Sequence, residues 1–164
     1  MVEPGEGTLS EANAGQLAKL TVLDSVAWAH DRLLPGLEIT GKVDAAAIHP
    51  TCATHRQGHA LRVGALAAQI ADEVYLPPTG TCCGFAGDRG ITHPELTASA
   101  TRAEAREVTA AEGPDAAEVG HPPSGRQFDA YLSSNRTCEI GLTRATGHEY
   151  ESVINALERA TRPR

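Results

Sequence analysis

Apolar and polar positions along the chain alternate between helical and strand-like blocks. Between Leu17 and Leu34 the apolar residues Val22, Val26, Ala29 and Leu33 recur at helical spacing, and Pro35-Gly36 closes the run, which predicts a first helix. Asp44-Ala45-Ala46-Ala47-Ile48 is a compact apolar run ending in His49-Pro50, the pattern of a strand covered on both faces of a parallel sheet. A second stripe of Val63, Leu66, Ile70 and Val74 predicts a helix from Gln57 to Glu73, and Glu73 to Leu76 reads as a strand stopped by Pro77-Pro78. Pro94 occupies a favoured first helical position, and the Ala-rich segment after it predicts a third helix to about Val108. Phe128 to Leu132 is the next strand, and Tyr150, Val153, Ile154 and Leu157 give the last helix its apolar face. This order predicts an α/β fold with a small, mostly parallel sheet flanked by helices.

Two segments fall outside the pattern. Residues 1–12 are polar and Gly-rich and read as a flexible tail, which leaves 13–164 as one domain. Thr109 to Gln127 mixes Gly, Pro and acidic residues without periodicity and reads as a loop insertion, unusually long for a compact domain.

Composition narrows the classes. A chain of 164 residues suits one domain, and one that buries roughly two thirds of its unfolded surface needs neither disulfide nor metal to fold. With 27 Ala against 2 Phe, 1 Trp and 1 Met, its core must come from small side chains on closely packed elements. Acidic residues number 21 against 14 basic ones, with no basic run, which argues against nucleic acid as a partner. The apolar stretches are too short for a transmembrane segment, and Met1 to Gly7 carries no basic or apolar leader. The expected location is cytoplasmic, with a peripheral seat on a membrane complex compatible with it.

Four cysteines carry the candidate chemistry. Cys52 follows the first predicted strand, Cys82-Cys83 the second and Cys138 the third. Parallel strands end on one edge, where α/β folds hold their ligands, so four sulfurs distant in sequence can meet there. Helix N-termini at that edge would favour thiolates, the form that metals and iron-sulfur clusters bind. Gly84, Gly87 and Gly90 recur after Cys83, where a loop without Cβ atoms lets backbone N–H groups approach a cluster. Other readings stay open: a vicinal Cys82-Cys83 disulfide, or zinc held by all four cysteines or by some of them with His49, His55, His59 or His93, although paired C-x2-C knuckles are absent. His49 otherwise ends a strand and His93 starts a helix, while Glu95 and Glu104 read as a solvated helix face. The chain has no P-loop, no G-x-S-x-G elbow and no H-E-x-x-H helix.

The segments His49-Pro50-Thr51-Cys52, Cys82-Cys83-Gly84-Phe85-Ala86-Gly87-Asp88-Arg89-Gly90, His93-Pro94-Glu95-Leu96 and Ser134-Asn135-Arg136-Thr137-Cys138-Glu139-Ile140-Gly141 resemble the cysteine-rich CCG domain. That domain occurs in heterodisulfide reductase, in the iron-sulfur subunit of glycolate oxidase and at the C-terminus of FAD-linked D-lactate dehydrogenases. The resemblance runs from about Leu17 to Arg162, and its CCGFAGDRG and SNRTCEIG stretches point to the last of these. It implies a [4Fe-4S] cluster bound by Cys52, Cys82, Cys83 and Cys138, with Gly84 and Gly87 beside it. The electrons would come from the FAD of a flavin-containing dehydrogenase domain or subunit that oxidises a 2-hydroxy acid, and would pass towards a quinone or cytochrome. The sequence departs from the family motif twice. Gly141 stands where the motif has its last cysteine, and the 54 residues between Cys83 and Cys138 are too many unless Thr109 to Gln127 is an insertion. The flavin and substrate residues are absent, so the resemblance implies a fragment or split subunit of a larger oxidoreductase. The rival from another class is a non-catalytic zinc-binding or thiol-redox module for sensing or assembly.

Overall fold

The computed structural model describes residues 9–113 and 127–163. The protein is α/β, with four parallel strands in the order β2-β1-β3-β4 and helices on both faces. Strand β1 (Val43–His49) is central. It pairs with β2 (Ala71–Tyr75) through Ala46 opposite Val74, and with β3 (Ala130–Ser133) through Ala46 opposite Ala130 and His49 opposite Ser133. A fourth strand, β4 (Tyr150–Ser152), adds to β3. Its three residues lie inside the predicted last helix, which instead starts at Val153 as α8 (Val153–Ala160), capped by the Ser152 hydroxyl.

The first predicted helix is not continuous. Glu11–Leu17 forms α1, so helix begins inside the predicted tail, whose residues 1–8 lie outside the described residues. The chain then runs open to Asp24, whose carboxylate accepts from the N–H groups of Val26 and Ala27 and starts α2 (Ser25–Trp28). A π turn (Ala29–Leu33) and a 3-10 turn (Leu34–Gly36) follow. Val22 falls in the open stretch and is exposed. The predicted helix over 57–73 shortens to α4 (Ala60–Ile70), and a separate helix α3 (Cys52–Arg56) precedes it, the two parted at Gly58, which turns the chain with a φ of +71°.

After β2 come a short helix α5 (Arg89–Thr92) and the long α6 (Pro94–Glu112), which carries helix four residues into the predicted insertion. The rest of that insertion, except Gly113 and Gln127, lies outside the described residues. Helix α7 (Arg136–Thr146), capped by Asn135, had no counterpart in the hydrophobic pattern. Helices α4 and α8 pack together on one face of the sheet, and α6 and α7 on the other. Ala46, Ile48 and Leu132 meet Val63, Leu66, Val153 and Leu157 on the first face, while Ala45, Ala47 and Tyr131 meet Val108, Leu142 and Tyr150 on the second. After β1 the chain turns to the α4 face, and after β3 to the α7 face. Their C-terminal ends therefore form the crevice where an open α/β sheet reverses its winding. Among the described residues no helix is long and apolar enough to cross a membrane.

Candidate functional site

The candidate site is built at that crevice from three loops. Pro50 cannot extend the ladder beyond β1, and Thr51 then caps α3 by accepting from the Thr54 N–H at 3.2 Å. Cys52 is thereby the first residue of α3, exposed to solvent. Leaving β2, the chain passes Pro77-Pro78 and turns at Gly80, whose N–H donates to the Pro77 carbonyl at 3.0 Å. Here the adjacent cysteines part: Cys82 is exposed and Cys83 is buried. Leaving β3, Asn135 accepts from the Thr137 N–H at 3.0 Å and sets Cys138 in the first turn of α7, also buried.

Glycine is needed after Cys83 for backbone reasons. Gly84 has a φ of +66°, and a Cβ there would lie 2.7 Å from Cβ of Ala100 on α6. Gly87, at +74°, needs the left-handed conformation alone, since no atom lies within 4 Å of a Cβ built there. Gly141, the position that departs from the motif, lets α7 close onto α6, because a Cβ would stand 2.8 Å from Cγ2 of Thr97.

Two of the four sulfurs are in contact. Cys83 Sγ and Cys138 Sγ are 2.8 Å apart and form a small cluster with Phe85. Cys52 and Cys82 lie at the exposed end, close enough to each other and to the buried pair that each feels the others' charge. Burial first, then Cys82, pushes the Cys52 thiol up. Within the buried pair the proton stays on Cys138, which rises steeply, while Cys83 falls to about 6. The Cys138 thiol donating to Cys83 is the main cause. The Phe85 N–H and the nearby His49 add to it against the cost of burial. Cys52 and Cys138 occupy first helical turns and rise, Cys52 through burial first and Cys138 through its bond to Cys83 first. The depressed thiol is Cys83, in a loop.

A second polar feature lies beneath the cysteines. His49, fully buried, holds Nδ1 2.8 and 2.9 Å from the two carboxylate oxygens of Glu104, which is 3% exposed. Glu104 is thus not on a solvated face; Glu95 is. The signal was present in the sequence, since Glu104 continues the stripe of Thr97, Thr101, Val108 and Ala111 that α6 buries. Nothing in the sequence named its partner 55 residues away. His49 Nε2 has no hydrogen-bond partner among the described residues. Nor do the buried Oγ1 of Thr97 and Oγ atoms of Ser133 and Ser134. His55 and His93 are exposed, and His59 lies 3.4 Å from Asp24 rather than with the cysteines.

Comparison with protein-family models, curated proteins and solved structures returned no match. The site must be weighed on its own chemistry. Buried polar groups are normally satisfied, so the unpartnered His49 Nε2, whose charge reaches Cys83, and Thr97 Oγ1, which like Cys83 packs against Gly141, fit a polar, sulfur-rich group better than an apolar core. The donor set of four thiols suits iron-sulfur or zinc ligation. Among the described residues no group of three or more His, Cys, Asp and Glu is gathered to hold a metal ion as it stands. Two thiolates on one tetrahedral zinc sit about 3.8 Å apart, from bonds of about 2.3 Å. Cys83 and Cys138 would therefore separate by about 1 Å on binding one.

Proposed function

We propose that this chain is an iron-sulfur electron-transfer domain, with Cys52, Cys82, Cys83 and Cys138 as ligands of a [4Fe-4S] cluster. The observation that carries the reading is the meeting of Cys83 and Cys138, from the loops after β2 and β3, at one sheet crevice, with Cys52 and Cys82 near enough for their charges to be felt. A bound cluster would supply one-electron transfer between the flavin of a partner D-lactate (2-hydroxy acid) dehydrogenase domain or subunit and a quinone or cytochrome acceptor. The chain's own residues prepare the site. The lowered Cys83 thiol favours the thiolate form, and Thr97, packed beside Gly141 and Cys83, offers a hydroxyl. Exposed Cys52 and Cys82 bring the centre to the surface, where a partner's redox group can approach.

Anaerobic purification with iron and sulfide quantitation tests the reading, and about four of each per chain is the expected result. Stoichiometric zinc without iron would replace it with the zinc-binding module, whereas the direct contact of Cys83 and Cys138 favours the thiol-redox form of that rival. Cys138→Ser should lower cluster occupancy and change the visible spectrum. Unchanged iron content and spectrum would remove Cys138 from the ligand set.

A further inference from the structure

The two sulfurs at the closed end of the site stand closer to each other than ligands sharing a metal would. Cys83 Sγ and Cys138 Sγ are 2.8 Å apart, both thiols are free, and both are enclosed with Phe85 in one cluster. A disulfide needs about 2.05 Å, so the pair closes by a movement of about 0.8 Å. The vicinal alternative is separated by the fold, because Cys82 is exposed to solvent while Cys83 is buried against Cys138.

We propose that in the metal-free chain Cys83 and Cys138 are a redox pair, converted by a peroxide into a disulfide while Cys52 and Cys82 remain thiols. This goes beyond the electron-transfer reading and does not depend on it. In the first step the sulfur of Cys83 attacks one peroxide oxygen; the S–O bond forms, the O–O bond breaks, and water leaves after taking the thiol proton. In the second the Cys138 sulfur attacks that of Cys83; the S–S bond forms, the S–O bond breaks, and the hydroxyl leaves with the Cys138 proton as a second water. Two thiols lose two electrons, and one peroxide becomes two waters. Exposures of only 4% and 3% at Cys83 and Cys138 select so small an oxidant over a bulky disulfide. The oxidised chain retains two thiols and no longer offers four thiolates, so it would refuse a metal until a dithiol reductant reopens the bond.

The test treats the metal-free full chain with hydrogen peroxide, alkylates the remaining thiols under denaturing conditions and maps tryptic peptides by mass spectrometry. Free thiols should fall from four to two, with the Cys83 peptide joined to the Cys138 peptide and Cys52 alkylated. Because the Cys83 peptide also carries Cys82, the same bond must persist in Cys82→Ser. A bond that vanishes in Cys82→Ser, a Cys82–Cys83 or Cys52–Cys82 bond, or four alkylatable thiols would overturn the proposal. No metal is present in this experiment, so its failure leaves the iron measurement untouched.

Discussion

The two faces of the sheet solve different problems with the same central strand. Ala46 and Ile48 point to the α4/α8 side, into an interior made of Val, Leu, Ile and Ala. Ala45 and Ala47 point to the α6/α7 side, where Tyr75, Phe128, Tyr131 and Tyr150 gather, and His49 follows them there to meet Glu104. Tyr75 stacks on Phe128 at 5.6 Å, and Tyr131 on His148 at 4.3 Å while hydrogen-bonding Glu112. The aliphatic side needs only close packing. The other side must also satisfy or exploit buried polar groups, and it is the side from which Cys83 and Cys138 are supported. Plain apolar packing and buried polar chemistry are thus divided between faces about one strand's thickness apart.

That division can be broken from either side. Glu104→Ala should cost the most, about 4 kcal/mol in urea unfolding, because it leaves buried His49 without a partner on either ring nitrogen. A loss below about 1 kcal/mol would make the polar face dispensable to the fold. Leu66→Ala, fully buried on the aliphatic face, should cost about 3 kcal/mol through a cavity, with cysteine titration unchanged. A change in that titration would show the faces to be coupled. Asn135→Ala removes the cap of α7 for about 1 kcal/mol and should loosen Cys138, seen as faster alkylation.

Smallest in its effect on the fold is Cys138→Ala in the metal-free chain. A hydrogen-bond donor favours the charged form of its acceptor, so removing it must raise the acceptor's pKa. In the parent chain, ultraviolet thiolate absorbance should appear as pH rises through about 6. The variant should delay it towards the ordinary thiol value of 9.0. An unmoved midpoint would assign the depression of Cys83 to the Phe85 N–H and His49 instead.

Legibility in the sequence followed physical cause. The run Asp44–Ile48 announced β1 because a central parallel strand is apolar on both faces, and the stripe Val63, Leu66, Ile70 announced α4 because one face is buried. The meeting of Cys83 with Cys138 followed from strand ends sharing an edge. Val22 misled because spacing alone cannot tell an exposed valine from a buried one, and the Asp24 cap that interrupts the helix was the better guide. Helix α7 was invisible because it buries Cys138, Glu139 and Gly141 along with Leu142, a stripe without the usual apolar residues. The His49–Glu104 pair and the division of Cys82 from Cys83 arise only in three dimensions, from contacts across 55 residues in each case, His49 with Glu104 and Cys83 with Cys138.

The outer strands carry a consequence for how the molecule meets others. Strand β2 closes one edge of the sheet with exposed Asp72 and Glu73, and Lys42 reaches across to Asp72 at 3.7 Å. At the opposite edge β4 is three residues long, and its Glu151 is engaged by Arg159. Charge on one rim and brevity on the other discourage a second chain from extending the sheet. Association is thereby steered away from strand-to-strand growth, leaving the strand tips, where the sulfurs lie, as the natural end for an encounter.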